Sequence, residues 1–268
     1  MKEVDVIKQT ATPLTKEDLT VAFKQMGITT DDVILVHSSL SRLGFVIGGA
    51  QTVVESLCET VSSGTLVMPT HSGDLSDPKY WENPPVPKEW FESLYEAMPA
   101  FSKALTPTRG MGKIVDTFLR KSGSYRSNHP QVSFTAYGKE AKLITENHHL
   151  TPSLGINSPL GKLYTLPSKI VLLGVSFESC TAFHLSEVLT KTVAMKETGA
   201  PIMKDGIRQW VTFEDYDYDS EHFLQYGEVL LKEGMAKRYP LGIGEVTILP
   251  FKASVDRVSE LMLKRQSN

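Results

Sequence analysis

Apolar positions along this chain follow two alternating periodicities. "DVILVHSSL" (32–40), "GTLVMPT" (64–70) and "KIVLLGV" (169–175) are short, nearly unbroken apolar runs, the pattern of strands buried on both faces. Between the first two, "AQTVVESLCETV" places Val53, Val54, Leu57, Cys58 and Val61 on one helical stripe. Strand, helix, strand in that order predicts a parallel unit. An earlier helix, "LTKEDLTVAFKQMG", opens with Thr15 as N-cap and Asp18 three positions on, and closes at Gly27.

Further along, "GMGKIVDTFLRKSG" predicts a helix with Ile114, Val115, Phe118 and Leu119 inward. "QVSFTAYG" reads as a strand and "KEAKLITENH" as a helix. In "APIMKDGIRQWVTF" the pair Asp205-Gly206 suits a tight hairpin turn. A helix near 221–233, a strand "EVTILPF" and a C-terminal helix capped by Ser254 complete the pattern. Residues 71–108 break it. That stretch is rich in proline, aromatic and acidic residues, and Pro84, Pro85 and Pro87 exclude a central strand. It predicts a lid-like insertion with one helix near 88–98. The whole reads as a single α/β domain over 1–268, with a mixed, mostly parallel sheet and helices on both faces.

Composition narrows the class. Apolar residues make up 41% of the chain and charged residues 22%, ordinary values for a globular protein. The net charge, 28 − 31 = −3, gives no reason to expect nucleic acid or an anionic membrane as partner. Two cysteines, Cys58 and Cys180, argue for a reducing compartment rather than a disulfide framework. No apolar run approaches the ~18 residues of a membrane span, and the N-terminal stretch has no apolar signal core. The expectation is a cytoplasmic protein without a membrane partner.

Ligands of such sheets bind beyond the carboxyl ends of the strands. Three hydroxyl-rich loops leave that edge: HSSLSRLG (37–44), HSGD (71–74) and SFESCT (176–181). After the last of them, Cys180, His184 and Glu187 follow at i, i+4, i+7 and share one helical face. Glu187 can reach His184, hold its tautomer and stabilise the imidazolium, as a general base requires. A buried histidine satisfied by its neighbour is the plainer alternative. A metal site would need a third ligand such as His71 or His129, and neither HExxH nor CxxC spacing occurs. A Cys180 nucleophile paired with His184 would support an acyl-enzyme, although a small packing cysteine is the commoner case. "RSNHP" (126–130) holds His129 in an extended backbone, as a ligand contact or a loop anchor. In "TPTRGMGK", Thr108, Arg109, Gly110 and Gly112 precede a helix whose free N–H groups attract phosphate. The spacing matches no generic nucleotide motif.

Taken together, "VHSSLSRLG", "GTLVMPTHSGD", "TPTRGMGKIVDTFL", "RSNHPQVSFTAYG", "SPLGKLY" and "LLGVSFESCTAFHLSE" resemble the aminoglycoside 3-N-acetyltransferases, a family distinct from the GNAT acetyltransferases. The resemblance spans roughly residues 15–260. It implies acetyl-CoA as co-substrate, no metal, an amine acceptor and, for some members, antibiotic inactivation. It carries the base onto His184, with Glu187 as orienting carboxylate and Thr181 beside the developing oxyanion. It places CoA along His37, Ser38, Ser39, Leu40, Ser41 and Gly44, and along Thr108, Arg109, Gly110, Met111 and Gly112. For a polycationic acceptor it points to carboxylates: Asp215 and Asp217 in "FEDYDYDSEHF", and Asp74 in the insertion, together with His71 and His129. A non-antibiotic amine as acceptor, a cysteine acyl-enzyme and a non-catalytic CoA-binding protein stand as alternatives, with homodimer formation left open.

Overall fold

A computed structural model describes residues 2–267; Met1 and Asn268 lie outside the described residues. In chain order, α1 (Glu3–Gln9) and α2 (Lys16–Gln25) lead to β1 (Val33–Ser38), and α3 (Gly49–Thr60) links it to β2 (Thr65–Pro69). After α4 (Phe91–Ala97) and α5 (Gly112–Leu119) come β3 (Tyr125–Arg126), β4 (Phe134–Gly138), α6 (Ala141–Thr145) and α7 (Pro159–Thr165). The chain then runs through β5 (Ser168–Leu173), α8 (Ala182–Thr190), β6 (Met195–Lys204) and β7 (Ile207–Tyr216). It closes with α9 (Phe223–Lys232), β8 (Lys237–Leu241), β9 (Gly244–Pro250) and α10 (Phe251–Gln266).

Seven strands form one sheet in the order β3-β4-β2-β1-β5-β9-β8. β1 pairs in parallel with β2 and β5, whereas β3, β4, β9 and β8 run antiparallel to their neighbours. The sheet is therefore mixed but not mostly parallel. Parallel pairing needs a long crossover, whereas β3–β4 and β8–β9 are joined by short connections and pair antiparallel. Alternation along the central strands supplies both cores. Val33, Leu35, Val67, Ile170 and Leu172 face α8, α9 and α10, while Ile34, Val36, Leu66, Val171 and Leu173 face α2, α3 and α5.

Local chemistry explains the element ends. Thr15 and Asp18 form a reciprocal capping box on α2, and Gly27 follows with φ 88°. Asp205 and Gly206 adopt φ 52° and 78°, the double left-handed turn that a two-residue hairpin needs. Ser254 does not cap the last helix. α10 begins at Phe251 and Ser254 is buried within its first turns, because Pro250 ends β9 and starts the helix directly. Two short elements, β3 and β8, carry too few alternating residues to be read from sequence.

Residues 71–108 consist of three short 3-10 turns and α4. They dock on the β6–β7 hairpin through a Lys79–Glu197 ion pair at 2.9 Å, Tyr95 packed on Trp210, and Arg208 Nε donating to the Met98 carbonyl at 2.9 Å. Within the hairpin, Gly199 makes room for the Trp210 ring, since a Cβ there would come within 2.6 Å of it. No helix among the described residues is long and apolar enough to cross a membrane.

Candidate active site

β5 ends at Leu173, and the chain turns at Gly174 with φ 70°, close under Ser39 and Arg42. A 3-10 turn (Phe177–Ser179) follows, anchored by Phe177 packed flat on the backbone of Gly227 in α9; a Cβ at Gly227 would lie 2.0 Å from that ring. The anchored turn fixes where α8 starts, with Thr181 as its N-cap residue. One turn into α8, His184 Nδ1 lies 2.7 Å from Glu187 Oε2. Glu187 is only 2% exposed, and its Oε1 accepts the Asp219 backbone N–H at 3.2 Å. The imidazole packs against Phe223 and Tyr218, ring centroids 4.7 and 5.2 Å away. With Nδ1 engaged by the carboxylate, Nε2 is the nitrogen left to exchange a proton.

His184 opens into a cleft of about 250 Å3, whose walls include His37, Ser38, His71, Glu178, Thr181 and Ser220. Beside it runs a groove of about 570 Å3 lined by Ser38, Ser39, Leu40, Ser41, Gly44, Gly110, Met111 and Gly112. The two cavities share Ser38, Gly110, Met111, Val175 and Ser179, so they meet at the end of β1. Gly110 and Gly112, with φ 72° and 83°, turn the chain into α5, whose first N–H groups have no partner within the helix.

Burial shapes the electrostatics of the cleft. Desolvation and the neighbouring histidines push His37 and His71 down to about 3, so both imidazoles are neutral at physiological pH. His37 Nε2, Ser38 Oγ and His71 Nε2 are buried without hydrogen-bond partners among the described residues. Cys180 is fully buried next to the cleft floor, and desolvation raises its thiol to about 12, which suits packing rather than nucleophilic attack.

Several residues expected at the site lie elsewhere. The Thr108 hydroxyl donates to Asp116 on α5. The Arg109 guanidinium pairs with Asp74 and donates to the Asn83 carbonyl at 3.2 Å, so both Arg109 and Asp74 serve the insertion, and neither is among the residues lining the cleft or the groove. His129 is entirely buried. Its Nδ1 accepts from the N–H groups of Gln131 and Val132, and its Nε2 meets the Leu150 carbonyl at 3.1 Å, which makes it a loop anchor with no valence left for a ligand. Asp215 is buried too, accepting from the Ser153 N–H at 3.2 Å, and burial raises its carboxyl pKa. Asp217 is an exposed partner of Lys196. Neither aspartate is among the residues lining the cleft: Asp215, near the end of β7, turns to the Ser153 backbone, and Asp217, just beyond β7, to Lys196 on the hairpin surface.

Residues not foreseen also contribute. Glu178 and Ser179 stand within the SFESCT loop, whose polarity was the available signal, and Lys113 lines the groove one position beyond Gly112. Ser220 carried no signal, because only the tertiary fold brings the 217–222 segment against α8. Among the described residues, no cluster of three or more His, Cys, Asp or Glu side chains is arranged to hold a metal ion.

Comparison with known proteins shows the family and the fold. The sequence profile of the aminoglycoside 3-N-acetyltransferase family matches residues 35–263. The SPbeta prophage-derived aminoglycoside N(3′)-acetyltransferase-like protein YokD of Bacillus subtilis (strain 168) is 39% identical over 264 residues, covering 98% of this chain and 97% of its own. Its crystal structure superposes with a TM-score of 0.97 over 99% of both chains, at 38% identity. Aminoglycoside N(3)-acetyltransferase III of Pseudomonas aeruginosa is 30% identical over 239 residues, 86% of each chain. The crystal structure of aminoglycoside acetyltransferase AAC(3)-Xa, 25% identical, matches with a TM-score of 0.88 over 96% of this chain and 95% of that one. By sequence and by architecture, the chain belongs to the aminoglycoside 3-N-acetyltransferase family, a family of acyltransferases.

Proposed function

We propose that the protein transfers the acetyl group of acetyl-CoA to an amine of an aminoglycoside, by direct attack with His184 as general base. The observation that carries this reading is His184, on the wall of a cleft that joins a larger groove, with Glu187 behind it at 2.7 Å. The groove receives the CoA moiety. Ser39 and Ser41, the start of α5 and Lys113 offer hydroxyls, free N–H groups and one cation to its phosphates. The thioester then reaches Ser38, where groove and cleft meet.

The acceptor amine attacks the thioester carbonyl carbon while His184 Nε2 takes its proton. Glu187, desolvated and fixed by the Asp219 N–H, stabilises the imidazolium. Thr181 stands on the cleft wall where the carbonyl oxygen gains charge. As the carbon–sulfur bond breaks, the imidazolium returns the proton to the departing thiolate. Glu178 is the carboxylate on the cleft wall, and it offers an ammonium group of the acceptor a partner beside the reacting amine.

The deciding experiment measures free-thiol release from acetyl-CoA with a panel of aminoglycosides and simpler amines. Release with an aminoglycoside, lost in His184→Ala, is expected. Release with simple amines alone would refute the aminoglycoside acceptor, and no release with any amine would refute acetyl transfer. Initial-rate patterns should be sequential; ping-pong kinetics would reinstate a Cys180 acyl-enzyme.

A further inference from the structure

Arg126 is 6% exposed and sits in β3, away from both cavities. Among the described residues no carboxylate pairs with it. Its guanidinium donates instead to neutral oxygens on separate segments. Nε reaches Ser133 Oγ at 3.0 Å, one terminal nitrogen reaches the Thr106 carbonyl at 2.6 Å, and the other reaches the Thr70 carbonyl at 2.9 Å. The Phe101 ring stacks beneath it, 4.9 Å from the guanidinium carbon. Burial lowers its pKa to about 10, which leaves it charged at neutral pH. A buried charge held only by neutral acceptors is costly, and an aliphatic side chain would fill the same space without that penalty. What an aliphatic chain lacks is the rigid fork of donors able to hold several backbones at once.

The bonded carbonyls have a common feature. Thr70 stands immediately before the 71–108 insertion and Thr106 near its end, so the fork closes the insertion at its base. The incoming end continues directly into His71 on the cleft wall. The outgoing end continues through Thr108, tied to Asp116, into Gly110–Met111–Gly112 on the groove wall, and the Arg109 N–H donates to the His71 carbonyl at 2.9 Å. We propose that Arg126 is a positioning residue: by clamping both ends of the insertion it sets the glycine turn that forms one wall of the donor groove.

The inference rests on that groove being the CoA site, which CoA titration of the wild-type protein checks by itself. Arg126→Ala and Arg126→Lys are then compared with wild type, each verified as folded by thermal unfolding. Arg126→Ala should weaken CoA binding roughly tenfold and leave the shape of the kcat–pH profile intact, since His184 and Glu187 are untouched. Without any ligand, the 71–108 segment should be cut faster by protease than in wild type. Millimolar guanidinium should restore part of the CoA affinity of Arg126→Ala but not of Arg126→Lys, where the butylammonium chain fills the site. A folded Arg126→Ala protein with wild-type CoA affinity and a protease-resistant segment overturns the proposal. So does a distorted pH profile at unchanged CoA affinity, which would put the effect on the base. Should Arg126→Ala not fold, Arg126→Lys carries the test, because one ammonium cannot span three segments; wild-type CoA affinity in that variant would overturn the clamp.

Discussion

Glu187 and the acidic stretch 214–221 lie close together in the fold and use their charge in opposite ways. Glu187 is one carboxylate, buried, with one oxygen on an imidazole and the other on a backbone N–H. The stretch 214–221 is the densest run of acid in the chain, yet Asp215 is spent on the Ser153 backbone and Asp217 on Lys196 at the surface. The densest run of acid therefore lies away from the candidate cleft. The proposed site rests instead on a desolvated carboxylate aimed at a titratable partner, because burial makes each remaining interaction strong and directional.

The sharpest break of this contrast is His184→Ala. It should lower kcat by ~10²–10⁴, the size of a general-base contribution, with CoA affinity unchanged by calorimetry. Near wild-type turnover would remove His184 from the mechanism. Glu187→Gln keeps the shape but removes the charge behind the imidazole, and kcat should fall roughly 10–10²-fold. Asp215→Asn, an equally buried change on the other side of the comparison, should leave both KM values and kcat within about twofold. Equal losses in the two variants would mean that burial alone, not contact with His184, explains the Glu187 effect.

Smaller effects sharpen the picture at the exposed rim. Glu178→Gln should raise the acceptor KM roughly twofold to fivefold and reduce its salt dependence, as befits a solvent-screened contact. Lys113→Ala should do the same to the acetyl-CoA KM, and more than Arg109→Ala does, since Arg109 is turned toward Asp74. Asp217→Asn should change neither constant; a raised acceptor KM there would return the acidic stretch to the binding site. Cys180→Ala should leave kcat within about twofold and lower thermal stability slightly through a small cavity.

The local rules that worked are visible residue by residue. The apolar runs gave β1, β2 and β5, the Thr15 box gave the start of α2, and Asp205-Gly206 gave the hairpin. The i, i+3 spacing of His184 and Glu187 predicted their contact, since neighbours on one helical face meet wherever that helix lies. The polar loops after the central strands were legible for a similar reason: a parallel strand delivers its following loop to the same edge as its neighbours.

Other features depend on contacts between segments far apart in the chain. Whether Arg109 faced phosphate or Asp74 depended on where the insertion docked, 35 residues away in sequence. Whether His129 bound a ligand or a loop depended on the Leu150 carbonyl. Whether Asp215 met solvent, substrate or the Ser153 backbone depended on the path of a loop 62 residues away. A residue's type and spacing fix what it can bond to and which side of its own element it occupies. Which partner it takes is set by desolvation and distance, and these exist only once the chain has packed.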